Sequence, residues 1–270
     1  MAKRALCVGI NNYPGSQNDL QGCVNDMNDW AEMFRAHGFD EVVTLQDSQA
    51  SKSALMKELE KGITETGIKD LFFFTFSGHG TWVPDDDGDE ADGRDEALCP
   101  WDFSKNVIID DELFDLFSTR HYGSRIVMFS DSCHSGSVAR MGPALGTSRR
   151  KIRFMPPGIF LSAKHTAVAK RLEKAASKGK MRSTCLLVSG CKDTEYSYDA
   201  WFGARANGAF TYAALEALKN LGTTPGGAET LSDYRDWYKA IRKILPSISH
   251  PQTPQFTATS SQRKWKILED

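Results

Sequence analysis

The run Leu71-Phe72-Phe73-Phe74-Thr75-Phe76 has no polar face. A strand of this kind cannot keep one side in water. It must be covered on both sides, as in parallel sheets flanked by helices. Residues 124–130 (SRIVMFS) and 184–190 (TCLLVSG) read the same way, and 3–10, 41–46 and 69–76 are further strand-like segments. Helical patterns lie between them. Residues 23–36 place Val24, Met27, Ala31 and Phe34 on one face, with Gly38 as a candidate C-cap. Residues 51–62 repeat the pattern with Leu55, Met56 and Leu59, and 110–118, 208–220 and 231–245 supply three more. Such alternation predicts an α/β fold, a mostly parallel sheet with helices on both faces.

A net charge of −2 over 270 residues gives no global attraction to nucleic acid or membranes, so any electrostatic function must be local. No apolar run approaches the length of a membrane span. The opening MAKRALCVGINNY enters a strand-like run without a signal-peptide core, so the expected location is cytoplasmic. Six cysteines (7, 23, 99, 133, 185 and 191) contain no C-x-x-C, which argues against a structural zinc or a redox dithiol. All but one are expected to be buried small hydrophobes.

Two of the apolar strands end alike. In FFFTFSGHGT (72–81) the strand runs into His79 between two glycines, and in RIVMFSDSCHSGS (125–137) it runs into Cys133. Sheets of this type place active sites at the carboxyl ends of their strands. If the two strands are neighbours, both side chains emerge at one edge. A thiolate is a nucleophile, and an imidazole can take its proton and return it to a leaving amine. A Cys or a His at a strand end is by itself usually structural; the joint pattern points to a dyad. The backbone N–H groups of Gly80 and Cys133 are the natural oxyanion donors. His134 would point elsewhere on an extended chain and is not favoured as the base. The absence of G-x-S-x-G argues against a serine hydrolase of the α/β type.

Two segments stand apart. Residues 85–96 (DDDGDEADGRDE) are acidic and read as a loop. Residues 140–182 hold twelve Lys or Arg against the single acid Glu173 and read as an insertion, helical in composition over 163–178 and loop elsewhere.

FSGHG, DSCHSGS, GCVNDMNDW, DGDEADGRDEALCPWDF and VSGCKDTEYSYD together resemble the metacaspases and their prokaryotic relatives, the orthocaspases, across nearly the whole chain. The resemblance implies a caspase-like three-layer sandwich in a single domain, 1–270. Within it, 1–140 is large-subunit-like, 141–183 is a basic linker and 184–270 is small-subunit-like. It implies a cysteine endopeptidase with Cys133 as nucleophile and His79 as base, cutting after Arg and less well after Lys. The first substrate pocket would be lined by Asp26, Ser77 and Asp131. Two carboxylates suit a planar guanidinium better than an ammonium point charge. The plainer alternatives are a helix-face acid for Asp26 and a turn cap for Asp131.

Calcium-activated members draw ligands from the acidic loop, an Asp-Asp pair and an acid seven residues after the Cys. The pair is present as Asp110 and Asp111, but the last position is Arg140, so no cofactor is expected. The loop also lacks the glycine an EF-hand needs and reads equally as a solvated turn. An Arg-specific peptidase with an Arg-rich insertion has its own substrate at high local concentration. Self-cleavage is therefore expected, at Arg149, Arg150, Lys151 or Arg153. Nucleic acid is not an expected partner, because the basic insertion has no aromatics beyond Phe154 and Phe160. No proline-rich or zinc-finger stretch precedes the first strand, which implies a minimal, prokaryotic-type member. The expected state is a monomer, with FTATSSQ (256–262) a possible sheet edge. Two other readings remain: a catalytically silent scaffold that binds basic protein segments, and acyl transfer to an amine.

Overall fold

The computed structural model describes residues 1–85, 93–134, 150–161, 184–192, 194–221 and 233–268. In chain order the first elements are β1 (Lys3–Gly9), α1 (Cys23–Ala36), β2 (Glu41–Gln46), α2 (Lys52–Glu65) and β3 (Leu71–Ser77). Then come β4 (Gly80–Pro84), β5 (Arg94–Leu98), β6 (Ile108–Ile109), α3 (Asp110–Ser118) and β7 (Arg125–Asp131). The rest are β8 (Arg150–Ile152), β9 (Leu186–Ser189), β10 (Tyr198–Phe202), β11 (Arg205–Gly208), α4 (Ala209–Asn220), α5 (Tyr234–Ile244) and β12 (Gln255–Thr257).

A six-stranded sheet runs in the order β12-β9-β7-β3-β1-β2. Its strands are parallel except β12, which pairs antiparallel with β9. The largely apolar β3 and β7 lie at its centre, where both faces are covered. Alternate residues of β3 feed two separate cores, because successive side chains leave a strand on opposite faces. Phe72, Phe74 and Phe76 pack with Leu55, Leu59 and Ile63 of α2 and with Leu113 and Phe117 of α3. Leu71 and Phe73 pack with Trp30 and Phe34 of α1, Phe210 and Ala213 of α4, and Trp237 and Ile241 of α5. On that second face Phe129 lies 5.1 Å from Phe73 and 4.9 Å from Trp237, ring centre to ring centre. Each such pair contributes about 0.5–1.5 kcal/mol beyond its buried area.

Two small sheets were not foreseen from the sequence, β4-β5-β6 and β11-β10-β8. They correct two expectations. The end of the acidic loop, from Arg94, is strand β5, and residues 150–152 of the basic insertion are strand β8 rather than open loop. The strand expected at 69–76 starts at Leu71, since Lys69 is held at φ 71° by a turn whose N–H bonds Gly123 O. The helical stretch at 163–178 falls outside the described residues. The edge strand β12 is three residues long, and Arg263 donates to the carbonyls of Phe256 and Ala258, leaving little edge for another chain. Among the described residues no helix is long and apolar enough to cross a membrane.

Register sets the geometry of the site. The last pair between β3 and β7 is Ser77 with Asp131. His79 and Cys133 each lie two residues beyond it, so both leave the sheet at the same edge and level.

Gly62 of α2 tests the packing between helix and sheet. A Cβ there would stand 2.3 Å from the Phe72 ring, well inside contact distance. Alanine should gain about 1 kcal/mol of helix propensity and lose more to overpacking against a rigid ring. We expect Gly62→Ala to lower stability by about 1–2 kcal/mol net, read from the urea midpoint.

Candidate active site

His79 sits on the turn between β3 and β4 and is buried. Its Nε2–H donates to the carbonyl of Asn18 at 2.8 Å, because a carbonyl can only accept. Its Nδ1 therefore carries the lone pair and, among the described residues, has no hydrogen-bond partner. Burial, helped by the Arg153 charge and opposed by the Asn18 bond, lowers its pKa to about 4, so the ring is neutral near pH 7. Tyr13 fixes the backbone beneath it. The phenol oxygen accepts from His79 N–H at 2.9 Å and donates to Cys99 O at 3.0 Å, and its ring lies 4.9 Å from the imidazole.

Cys133 is fully buried, all six cysteines are buried, and the Cys133 thiol donates to Glu195 O at 3.0 Å. Gly80 passes so close that a Cβ there would stand 2.3 Å from Cys133 O. Only glycine fits. The N–H groups of Gly80 and Cys133 converge on one oxygen, the carbonyl of Arg153, at 3.0 and 3.1 Å. His134 has both ring nitrogens engaged, Nδ1–H on Ala97 O and Nε2 on Ser132 Oγ, at 3.1 and 3.2 Å.

The pocket expected from Asp26, Ser77 and Asp131 is filled by the guanidinium of Arg153. Nη2 bonds Asp26 Oδ2 at 2.7 Å and Asp199 Oδ1 at 3.0 Å. Nη1 bonds Ser77 Oγ at 2.7 Å and lies 3.2 Å from Asp131 Oδ2. Each acid is anchored by backbone. Asp26 accepts from Gly208 N–H, Asp131 from Thr211 N–H at the start of α4, and Asp199 from Gln21 and Gly22 N–H ahead of α1. Burial pushes the Asp26 carboxyl up to about 6, against the pull of Arg153. Asp26 is therefore no exposed helix-face acid, and Asp131 is more than a local turn cap.

The rest of the strand lies along β10. Arg153 N–H donates to Ser197 O at 3.0 Å, and Ile152, Lys151 and Arg150 pair antiparallel with Tyr198, Asp199 and Ala200. Arg153, expected on an open loop, is thus wholly buried, because three carboxylates and two amide donors hold it. Arg150 and Lys151 are half-buried strand residues, and Arg149 and Arg140 lie outside the described residues.

Asp110 and Asp111 occupy the first turn of α3, where the helix dipole also favours acids. Among the described residues no three His, Cys, Asp or Glu side chains gather as a metal site. Sequence reasoning missed Asn18, Tyr13, Asp199 and Gly208. A Cβ on Gly208 would stand 2.1 Å from Asp131 and 2.4 Å from Arg153. Of these only Asp199 had a signal, standing at the end of VSGCKDTEYSYD.

A parallel sheet between helices with a cysteine and a histidine at one strand edge defines the class of caspase-like α/β sandwiches. A caspase-1 structure from Spodoptera frugiperda shares the fold, with a TM-score of 0.55 at 13% identity over 95% of this chain and 86% of that one. Closer likeness comes from protein GSU0716 of Geobacter sulfurreducens, with a TM-score of 0.73 and 31% identity over 100% and 99% of the two chains. Residues 3–141 match the family described as metacaspase, peptidase C14 domain. Metacaspase-1 of Lodderomyces elongisporus is 32% identical over 95% of this chain, and that of Candida albicans is 30% identical over 95%. The chain spans 65% of the length of each. The chain belongs to the metacaspase family of caspase-like cysteine peptidases.

Tyr13→Phe keeps the ring beside His79 and removes both hydrogen bonds of the hydroxyl. It should lower stability by about 1–3 kcal/mol in thermal unfolding, with Cys99 O and His79 N–H left unpaired.

Proposed function

We propose that this protein is a cysteine endopeptidase that cuts after Arg, and less well after Lys, through Cys133 and His79, and that it cuts itself after Arg153. The observation that carries the reading is the seating of Arg153. Its side chain lies among Asp26, Asp131 and Asp199, and its carbonyl oxygen lies on the N–H groups of Gly80 and Cys133. Those amides are where a tetrahedral oxyanion would need its donors.

The thiol first turns from Glu195 O toward His79, whose Nδ1 takes its proton. The sulfur attacks the carbonyl carbon of the arginine, and the oxyanion rests on Gly80 and Cys133 N–H. His79 then gives the proton from Nδ1 to the leaving amine, which departs and leaves an acyl-enzyme on sulfur. Water, deprotonated by the same nitrogen, releases the acid. Asn18 O keeps the ring in the tautomer this cycle requires. Each step uses the chain's own groups, and none needs a metal ion or a partner subunit. We propose a monomer active without calcium. Lysine would reach the same acids as a single ammonium and lose the two-nitrogen grip.

Incubation of the pure chain should give a fragment ending at Arg153 and another beginning at Phe154, identified by mass spectrometry. Cys133→Ala should give neither and should leave an Arg-ending fluorogenic peptide uncut. Full activity in that variant would reject the dyad. Asp26→Ala should lower kcat/KM on such a peptide by at least about 30-fold, the effect of truncating one partner of a buried charge pair by about 2 kcal/mol. A fold loss without change in turnover per folded molecule would reject the pocket. EDTA should leave the rates unchanged.

A further inference from the structure

The cleft contacts more of its own strand than the arginine in the pocket. Resting on the reading above, we infer that the enzyme recognises five residues around the cut, with the pattern basic-basic-aliphatic-Arg before it and a large apolar residue after it. Residues 150–154, Arg-Lys-Ile-Arg-Phe, supply the template.

At the fourth position before the cut, the Arg150 guanidinium lies 4.4 Å over the ring centre of Tyr198, and its Nη1 donates to Ser249 O at 2.8 Å. A flat delocalised cation on an aromatic face, with a carbonyl at its edge, favours Arg over Lys there. At the third position Lys151 Nζ donates to Asp19 O at 2.6 Å. That carbonyl comes directly after Asn18, whose own carbonyl orients His79. One short stretch thus serves both the base and the recognition of substrate. At the second position Ile152 packs against the cluster of Trp82, Cys133, Phe154 and Cys191. Phe154, just after the cut, is buried in the same cluster. A charged side chain at either apolar place would lose its water without gaining a partner. The backbone of positions two to four is held by the ladder to β10, which any peptide can copy, so discrimination falls to these side-chain contacts.

The test is a set of quenched-fluorescence peptides built on Arg-Lys-Ile-Arg-Phe, cut by the full chain, with one position changed at a time. Changing the first Arg or the Lys to Ala should lower kcat/KM roughly threefold to tenfold each, in the range of one partly exposed cation–π or charged hydrogen bond. Ile to Glu or Phe to Asp should lower it by more than about tenfold. The same contacts are read without competing peptide in the chain itself. Arg150→Ala and Lys151→Ala should slow self-cleavage by similar factors. Tyr198→Leu should lower the Arg-to-Ala ratio at the fourth position to what the Ser249 carbonyl alone supplies. Equal cleavage of all Arg-containing peptides, with self-cleavage indifferent to residues 150 and 151, would overturn this inference and leave the Arg-specific peptidase standing. No cleavage of any peptide and no self-fragment would overturn both.

Discussion

One guanidinium holds this site together. Arg153 reaches three aspartates that arrive from distant parts of the chain: Asp26 on α1, Asp131 at the end of β7 and Asp199 in β10. Three carboxylates around one cation would be unfavourable in isolation. Each is also held by backbone N–H groups, which share in compensating the buried negative charge. The same residue lays its carbonyl on the amides of Gly80 and Cys133, so the acid cluster and the surroundings of Cys133 are joined by a single residue.

The sheet makes this convergence possible. Parallel pairing in register brings His79 and Cys133 out at one level, and glycine at position 80 lets the two backbones close to contact. The helices on either face fix the strands through cores that share no side chains, since β3 sends alternate residues to each. The acid cluster then draws on the N-terminal ends of α1 and α4, where Gly22 N–H bonds Asp199 and Thr211 N–H bonds Asp131.

Much of this was legible in the sequence. The non-alternating runs at 71–76 and 125–130 could only be doubly covered central strands, and the helices fell where apolar periodicity put them. Asp26, Ser77 and Asp131 stand on regular elements whose ends could be located. What stayed hidden depends on main-chain positions. The carbonyls of Asn18 and Asp19 have no side-chain signature, and Gly208 shows its purpose only once Asp131 and Arg153 lie against it. Strand β8 was hidden for another reason. Three residues amid a long basic stretch carry no periodicity, and their pairing comes from β10, far along the chain.

The stretch 150–153 would also govern the state of the chain if the proposed cut after Arg153 were made. Such a cut would leave the contacts of residues 150–153 in place: the ladder to β10 and the ion pair with Asp199 would join the two pieces, while the ion pairs with Asp26 and Asp131 and the seat of the arginine oxygen would lie within the first. Downstream, Met155 N–H stays on Gly80 O and Thr81 on Met155 O. A chain nicked there would begin life as a product complex with its own new carboxyl end, and that end would have to leave before a second polypeptide could enter.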